Sequence, residues 1–274
     1  MRNVAMFAGG SVTMGLGLEL ELRPKYNDHE WLSENGLILP LPREKEDEEY
    51  WKTYRYSKLV SDSLNLIEYN IHDHYNTQIG GDAISTIWLL SKFNNEFSEL
   101  LKNVKYIFFD IGFIRWWDEN LHGYDNKKKL PNTVNEVIEF IKNPKNDRID
   151  TEKALNWLIN LDINRYWEET IKKYNDLKNK NPEIHFIVTP WVFDNQDVLI
   201  TKRFDYELKD DLIFFGEEKS MYNFLVKNKL MVGDVAMGFN GKYKYTYKDM
   251  HPSSVGHKKI SEIIIEKINQ KNEN

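Results

Sequence analysis

The sequence contains no cysteine. That excludes disulfide staples, thiolate nucleophiles and cysteine-bound zinc. It also lacks any apolar run approaching the ~18 residues that a membrane span requires. Positive charge is not in excess: the formal net charge is -6, and no basic stripe is present. This argues against nucleic acid as a partner. Lys127, Lys128 and Lys129 form too short a cluster to change that reading, and a solvated loop accounts for them. Internal repeats and low-complexity linkers are missing as well.

What is present is organised around residues 3–17. A short apolar run, Val4 to Ala8, ends in Gly9 and Gly10, and Ser11 follows. Such a run bounded by glycine predicts a strand buried on both faces of a parallel sheet. The glycines let the backbone turn where side chains would clash. Ser11 then stands at the edge where ligands bind in open α/β sheets. Arg2 before apolar residues faintly resembles a signal peptide, but the apolar part is too short and runs directly into the turn. It reads as the first strand of a soluble protein made without export.

Further strands are expected at 66–71, 104–109 and 184–191, and a fifth at 211–215 or 230–235. Tyr56, Leu59, Val60, Ser63 and Leu64 recur at helical spacing, and Ile84, Ile87, Trp88, Ser91, Leu100 and Leu101 give another amphipathic helix, where Asp82 is a plausible cap. Helices are also expected over 133–141, from about 151 to Pro182, at 221–225, and through Ile260, Ile263, Ile264 and Ile268, with a frayed tail from 269. Alternating strands and helices predict one α/β domain over 1–274, interrupted by insertions around 18–50 and 195–247.

Three constellations carry chemistry. Ser11 needs a base and an orienting carboxylate to act as a nucleophile. His251, with Asp249 two residues earlier and Pro252 after it, supplies both, whereas His257 lies inside the presumed helix and reads as structural. The oxyanion needs donors. The Ser11 N–H qualifies if Ser11 begins a helix, and the Gly80-Gly81 turn offers a second open backbone. His72 and His74 share a face if the segment is extended, which invites a metal, but no third ligand is placed by spacing. The chain lacks the G-x-S-x-G elbow, the Walker A lysine and the third glycine of the dinucleotide fingerprint.

These residues together resemble the SGNH hydrolases, the GDSL-type esterase and lipase superfamily. Gly10-Ser11-Val12 with Gly15 looks like the nucleophile block, with glycine where the family usually has aspartate. Residues 76–82 look like the second block and would make Gly81 an oxyanion donor; Asp249-Met250-His251-Pro252 with Gly256-His257 looks like the last. The third block departs: Gly112 lies near the position of the family's asparagine, so a backbone N–H or Arg115 would replace that donor. The acid and base stand two apart rather than three, with Lys248 at the usual acid position; a backbone carbonyl orienting His251 is the alternative to Asp249.

The resemblance implies a three-layer α/β/α, flavodoxin-like fold with about five parallel strands. It implies cofactor-free, metal-free ester hydrolysis through an acyl-enzyme, with a small-molecule or glycan ester as substrate. Trp116, Trp117 and Trp191 suit a sugar ring and lean the reading toward O-acetyl groups on carbohydrate. The alternative is a catalytically inactive SGNH-like module that binds glycan or protein. A cytoplasmic or virion-associated location is expected in either case.

Overall fold

A computed structural model describes residues 2–15, 18, 21, 45–75, 83–111, 163–190, 207–208, 210–215, 220–231, 234–235, 247–248 and 251–273. Its centre is a four-stranded, all-parallel sheet of β1 (Val4–Ala8), β2 (Ile67–Asn70), β3 (Val104–Ile111) and β4 (His185–Pro190), in the order β2-β1-β3-β4. β1 lies between β2 and β3, and all five of its residues are buried, as an apolar run bounded by glycine predicts.

The chain leaves β1 for β2 on one side, then recrosses β1 to reach β3 and β4 on the other. Right-handed crossovers running in opposite directions put their helices on opposite faces of the sheet. Accordingly α3 (Tyr56–Ser63), which precedes β2, packs on the face of Ala5, Phe7, Tyr106, Phe108 and Ile187. Here α1 is Ser11–Met14 and α2 is Lys45–Tyr54; α4 is Ile71–His74. α5 (Ala83–Phe93), α6 (Asn95–Leu101) and α7 (Ile163–Lys180) cover the other face, against Val4, Met6, Ile107, Phe109, Phe186 and Val188. α8 (Met221–Lys227) and α9 (Ser254–Glu273) return to the α3 side.

A register shift between Val4 and Ala5 admits Lys105 as an extra residue on β3. It keeps Tyr106 and Phe108 on the same face as Ala5 and Phe7, so Phe7 and Phe108 stack at 4.4 Å. In α9, Ile260, Ile264 and Ile268 recur every four residues and are buried; fully burying each side chain contributes about 1.5–3 kcal/mol. The helix runs to Glu273, so its regular structure extends beyond the point where the polar tail is expected to fray.

Other expectations are revised. The segment after β2 is helical rather than extended: α4 contains both His72 and His74, which removes the strand geometry on which shared chelation depends. The stripe from Ile84 to Leu101 is two helices, because the Asn94 side chain accepts the Phe97 N–H and starts α6 afresh. The fifth parallel position is held by one bridge, Leu212 beside Val188, with hydrogen bonds from Ile213 N–H to the Val188 carbonyl and from Val188 N–H to the Asp211 carbonyl. Within 230–235, Met231 instead bridges Pro252 antiparallel, and β5 (Asp234–Val235) pairs with β6 (Tyr247–Lys248). The helix expected over 133–141 and the Asp82 cap lie outside the described residues. Among the described helices, none is long and apolar enough to cross a membrane.

α9 enters under a tight constraint. Ser253 caps it, accepting the Gly256 N–H and donating to the Leu230 carbonyl at 2.9 Å. A Cβ on Gly256 would collide with that same carbonyl and approach Pro252 Cβ to 3.1 Å. Gly256→Ala is therefore expected to cost about 1–3 kcal/mol of stability. Urea unfolding measures it, and a variant as stable as the parent would contradict the packing described.

Candidate active site

The reversal in strand order falls between β1 and β3, and in open α/β sheets ligands bind at the carboxyl ends of strands at such a point. Ser11 opens α1 there, three residues beyond the end of β1. Directly across, near the end of β3, stands Asp110, which is 4% exposed. The strand alternation turns it toward the α3 layer.

A buried carboxylate without donors would be prohibitively costly. Asp110 accepts from three hydroxyls: Thr13 of α1 and Tyr56 of α3 at one oxygen, the latter at 2.9 Å, and Thr189 of β4 at the other. Burial pushes its carboxyl above the ordinary range, against the opposing pull of those donors. The Tyr56 phenol is likewise raised, by burial first and then by the Asp110 charge, so it stays protonated and donates.

This cluster explains Gly9. A Cβ there would fall on Thr13 Oγ1 and lie 2.6 Å from Asp110 Cβ. Gly10 is different: a Cβ at that position meets nothing within 4 Å. The expectation that both glycines relieve a clash therefore holds for Gly9 alone.

β2 and α4 brace the turn from the other side. His72 Nε2–H donates to the Gly9 carbonyl at 3.0 Å. Burial lowers its basicity, against the hydrogen bonds to the Gly9 and Gly10 backbone. The Asn70 side chain donates to the Thr13 carbonyl at 2.8 Å. Arg55, 2% exposed, binds Glu68 through two nitrogens and Asp73 through two, tying the start of α3 to β2 and α4. His74 stacks on Tyr69 at 4.0 Å. Among the described residues no group of three or more acidic or histidine side chains could hold a metal ion.

His251 is half-buried and precedes Pro252 and the cap of α9. α9 packs along α3, and its first N–H, that of Ser254, donates to Glu21 at 2.8 Å. His257, one turn into α9, is fully buried and accepts the Tyr56 N–H at Nδ1, 3.1 Å away. It is structural, as its place in the helix suggests. Its proton therefore sits on Nε2, which finds no partner among the described residues. Burial, with the charges of His251 and Arg55, pushes its pKa down to about 3.

The segments carrying Ser11 and His251 thus converge on one residue, Tyr56: α1 through Thr13, and α9 through His257. Asp249, Gly81, Gly112 and Arg115 lie outside the described residues, as do Trp116, Trp117 and Trp191. Sequence reasoning missed Thr13, Tyr56, Thr189 and His72 as members of the site. The available signal was Asp110, a carboxylate directly after the apolar run Tyr106 to Phe109. No protein-family model, curated protein or solved structure matches the chain.

Two predictions come from this geometry. Gly9→Ala should unfold at clearly lower urea than the parent, whereas Gly10→Ala should stay within about 1 kcal/mol of it; equal effects would refute the assignment of Gly9 to a close approach. His257 is held neutral by folding, while the unfolded chain takes a proton near pH 6.5. Its contribution to stability is thus full above pH 6.5 and is lost as pH falls toward 3. Between pH 7 and 5, unfolding free energy should drop by roughly 1 kcal/mol per pH unit, and His257→Gln should flatten that slope. An unchanged slope in the variant would assign the effect elsewhere.

Proposed function

We propose that the chain is a serine-dependent ester hydrolase of the SGNH type. The observation that carries this reading is the position of Ser11: first residue of a helix, beyond the carboxyl end of the inner strand β1, at the reversal of strand order. The order β2-β1-β3-β4, with Leu212 bridging β4, supports a flavodoxin-like arrangement in which Leu212 marks the fifth strand.

In this mechanism Ser11 Oγ attacks the ester carbonyl while His251 takes its proton. Asp249 orients the imidazole and stabilises the imidazolium. The N–H groups of Ser11 and Gly81 hold the oxyanion, with Gly112 or Arg115 in place of the family's asparagine. His251 then gives the proton to the leaving alcohol. Water, deprotonated by His251, releases the acid from the acyl-serine. That a Cβ on Gly10 would meet no atom of the described residues within 4 Å is compatible with a substrate approaching the turn. The substrate class we favour is a short acyl ester of a carbohydrate, with no metal or cofactor.

A fluorophosphonate should label the folded chain at Ser11. Ser11→Ala should abolish labelling and cut hydrolysis of p-nitrophenyl acetate by at least roughly a thousandfold. Hydrolysis that survives in Ser11→Ala, or an unlabelled Ser11 in folded protein, would overturn the esterase reading and favour a non-catalytic glycan- or protein-binding module.

A further inference from the structure

Tyr56 occupies an unusual place for one residue of a short helix. It is fully buried. Its hydroxyl donates to Asp110 on β3 and lies 3.3 Å from Thr13 Oγ1 on α1. Its backbone N–H donates to His257 on α9. Its ring lies edge-on to Phe7 of β1 at 5.9 Å and stacks on the His257 imidazole at 6.1 Å. These partners are 43 to 201 residues distant in sequence. Among the described residues, Tyr56 hydrogen-bonds both to the element that begins with Ser11 and to the element that follows His251.

We propose that Tyr56 is a positioning residue that sets the separation between the nucleophile turn and the base-bearing segment; this rests on the esterase reading above. A nucleophile and its base must meet within hydrogen-bond reach, about 2.6–3.2 Å. Here they come from opposite ends of the chain and from different elements. A rigid intermediary touching both helps to hold that spacing. The hydroxyl end of Tyr56 fixes α1 through the carboxylate that Thr13 also binds. The backbone end fixes α9 six residues beyond His251. Between them the phenyl ring is clamped in the core, so movement at one end is passed to the other rather than absorbed by a free rotamer. The raised phenol keeps the donor present at any pH where the fold survives.

Tyr56→Phe tests this, because it removes the hydroxyl while keeping the ring and the backbone N–H. A displacement near 1 Å at a reacting centre costs on the order of a hundredfold. Fluorophosphonate labelling of Ser11 and kcat for p-nitrophenyl acetate should fall at least about tenfold, with KM within twofold of the parent. Thr13→Val cuts the same connection from the other end and should reproduce the split if Tyr56→Phe does not fold. Unchanged labelling and kcat in a folded variant, or a change confined to KM, would overturn the proposal. Amide exchange gives a readout independent of chemistry. Tyr56→Phe should speed exchange at both the Gly15 N–H of α1 and the His257 N–H of α9, bonded in the parent to the Val12 and Ser253 carbonyls. If the parent neither labels nor hydrolyses esters, the esterase reading falls, and the exchange pattern alone decides the coupling: faster exchange at both ends supports it, and faster exchange at one end or neither refutes it.

Discussion

A carboxylate at the end of a buried strand must be surrounded by donors, and at Asp110 the donors come from three different elements. Thr13, Tyr56 and Thr189 reach it from α1, α3 and β4. Each hydroxyl removes part of the penalty of burying the charge, and the carboxylate in turn satisfies three hydroxyls that burial would otherwise orphan. The group is therefore a joint. It locks the helix that begins with Ser11 against β3 and β4, at the point where the strand order reverses. The absence of a side chain at Gly9 follows from the same constraint, since the joint fills the space that a Cβ would need.

The two faces of the sheet are built differently. The face covered by α5, α6 and α7 is a continuous apolar cluster from Val4 through Phe109 to Tyr174 and Leu177. The face covered by α3, α8 and α9 has an equally apolar body, but at its carboxyl end it carries Asp110, Thr13, Thr189, Arg55, Asn70 and His257 buried together. Arg55 illustrates the logic. Burial opposes its charge, and the bonds to Asp73 and Glu68 outweigh that opposition. Losing one partner of such a set leaves an uncompensated buried charge, which is far more harmful than never having had the pair. The other layer also buries polar residues, Ser85 and Thr170, but among the described residues no buried carboxylate or guanidinium lies there.

The orphan Nε2–H of His257 stands apart from this satisfaction. Its ring faces Tyr56 and feels the charge of His251. A neutral imidazole is the form that both accepts the Tyr56 N–H and avoids a second positive charge beside Arg55.

Much of the scaffold was legible before the structure, because burial and period are local properties. The apolar run before Gly9, the run ending at Asp110 and the stripe of Ile260, Ile264 and Ile268 each specify an element without reference to the rest of the chain. The structural role of His257 could also be read from its place in the presumed helix, whereas a helical start at Ser11 was only a condition of the oxyanion reading. The tertiary structure decided what depends on partners far away. His72 belongs to a helical turn because Asn70 caps it, and it reaches back to the Gly9 carbonyl instead of toward a metal. Leu212 makes one bridge rather than a strand. Above all, Asp110 gains its meaning from Thr13, Tyr56 and Thr189, 97, 54 and 79 residues away. Period and propensity describe a residue's relation to its near neighbours, whereas the satisfaction of a buried charge is settled only when distant elements close around it.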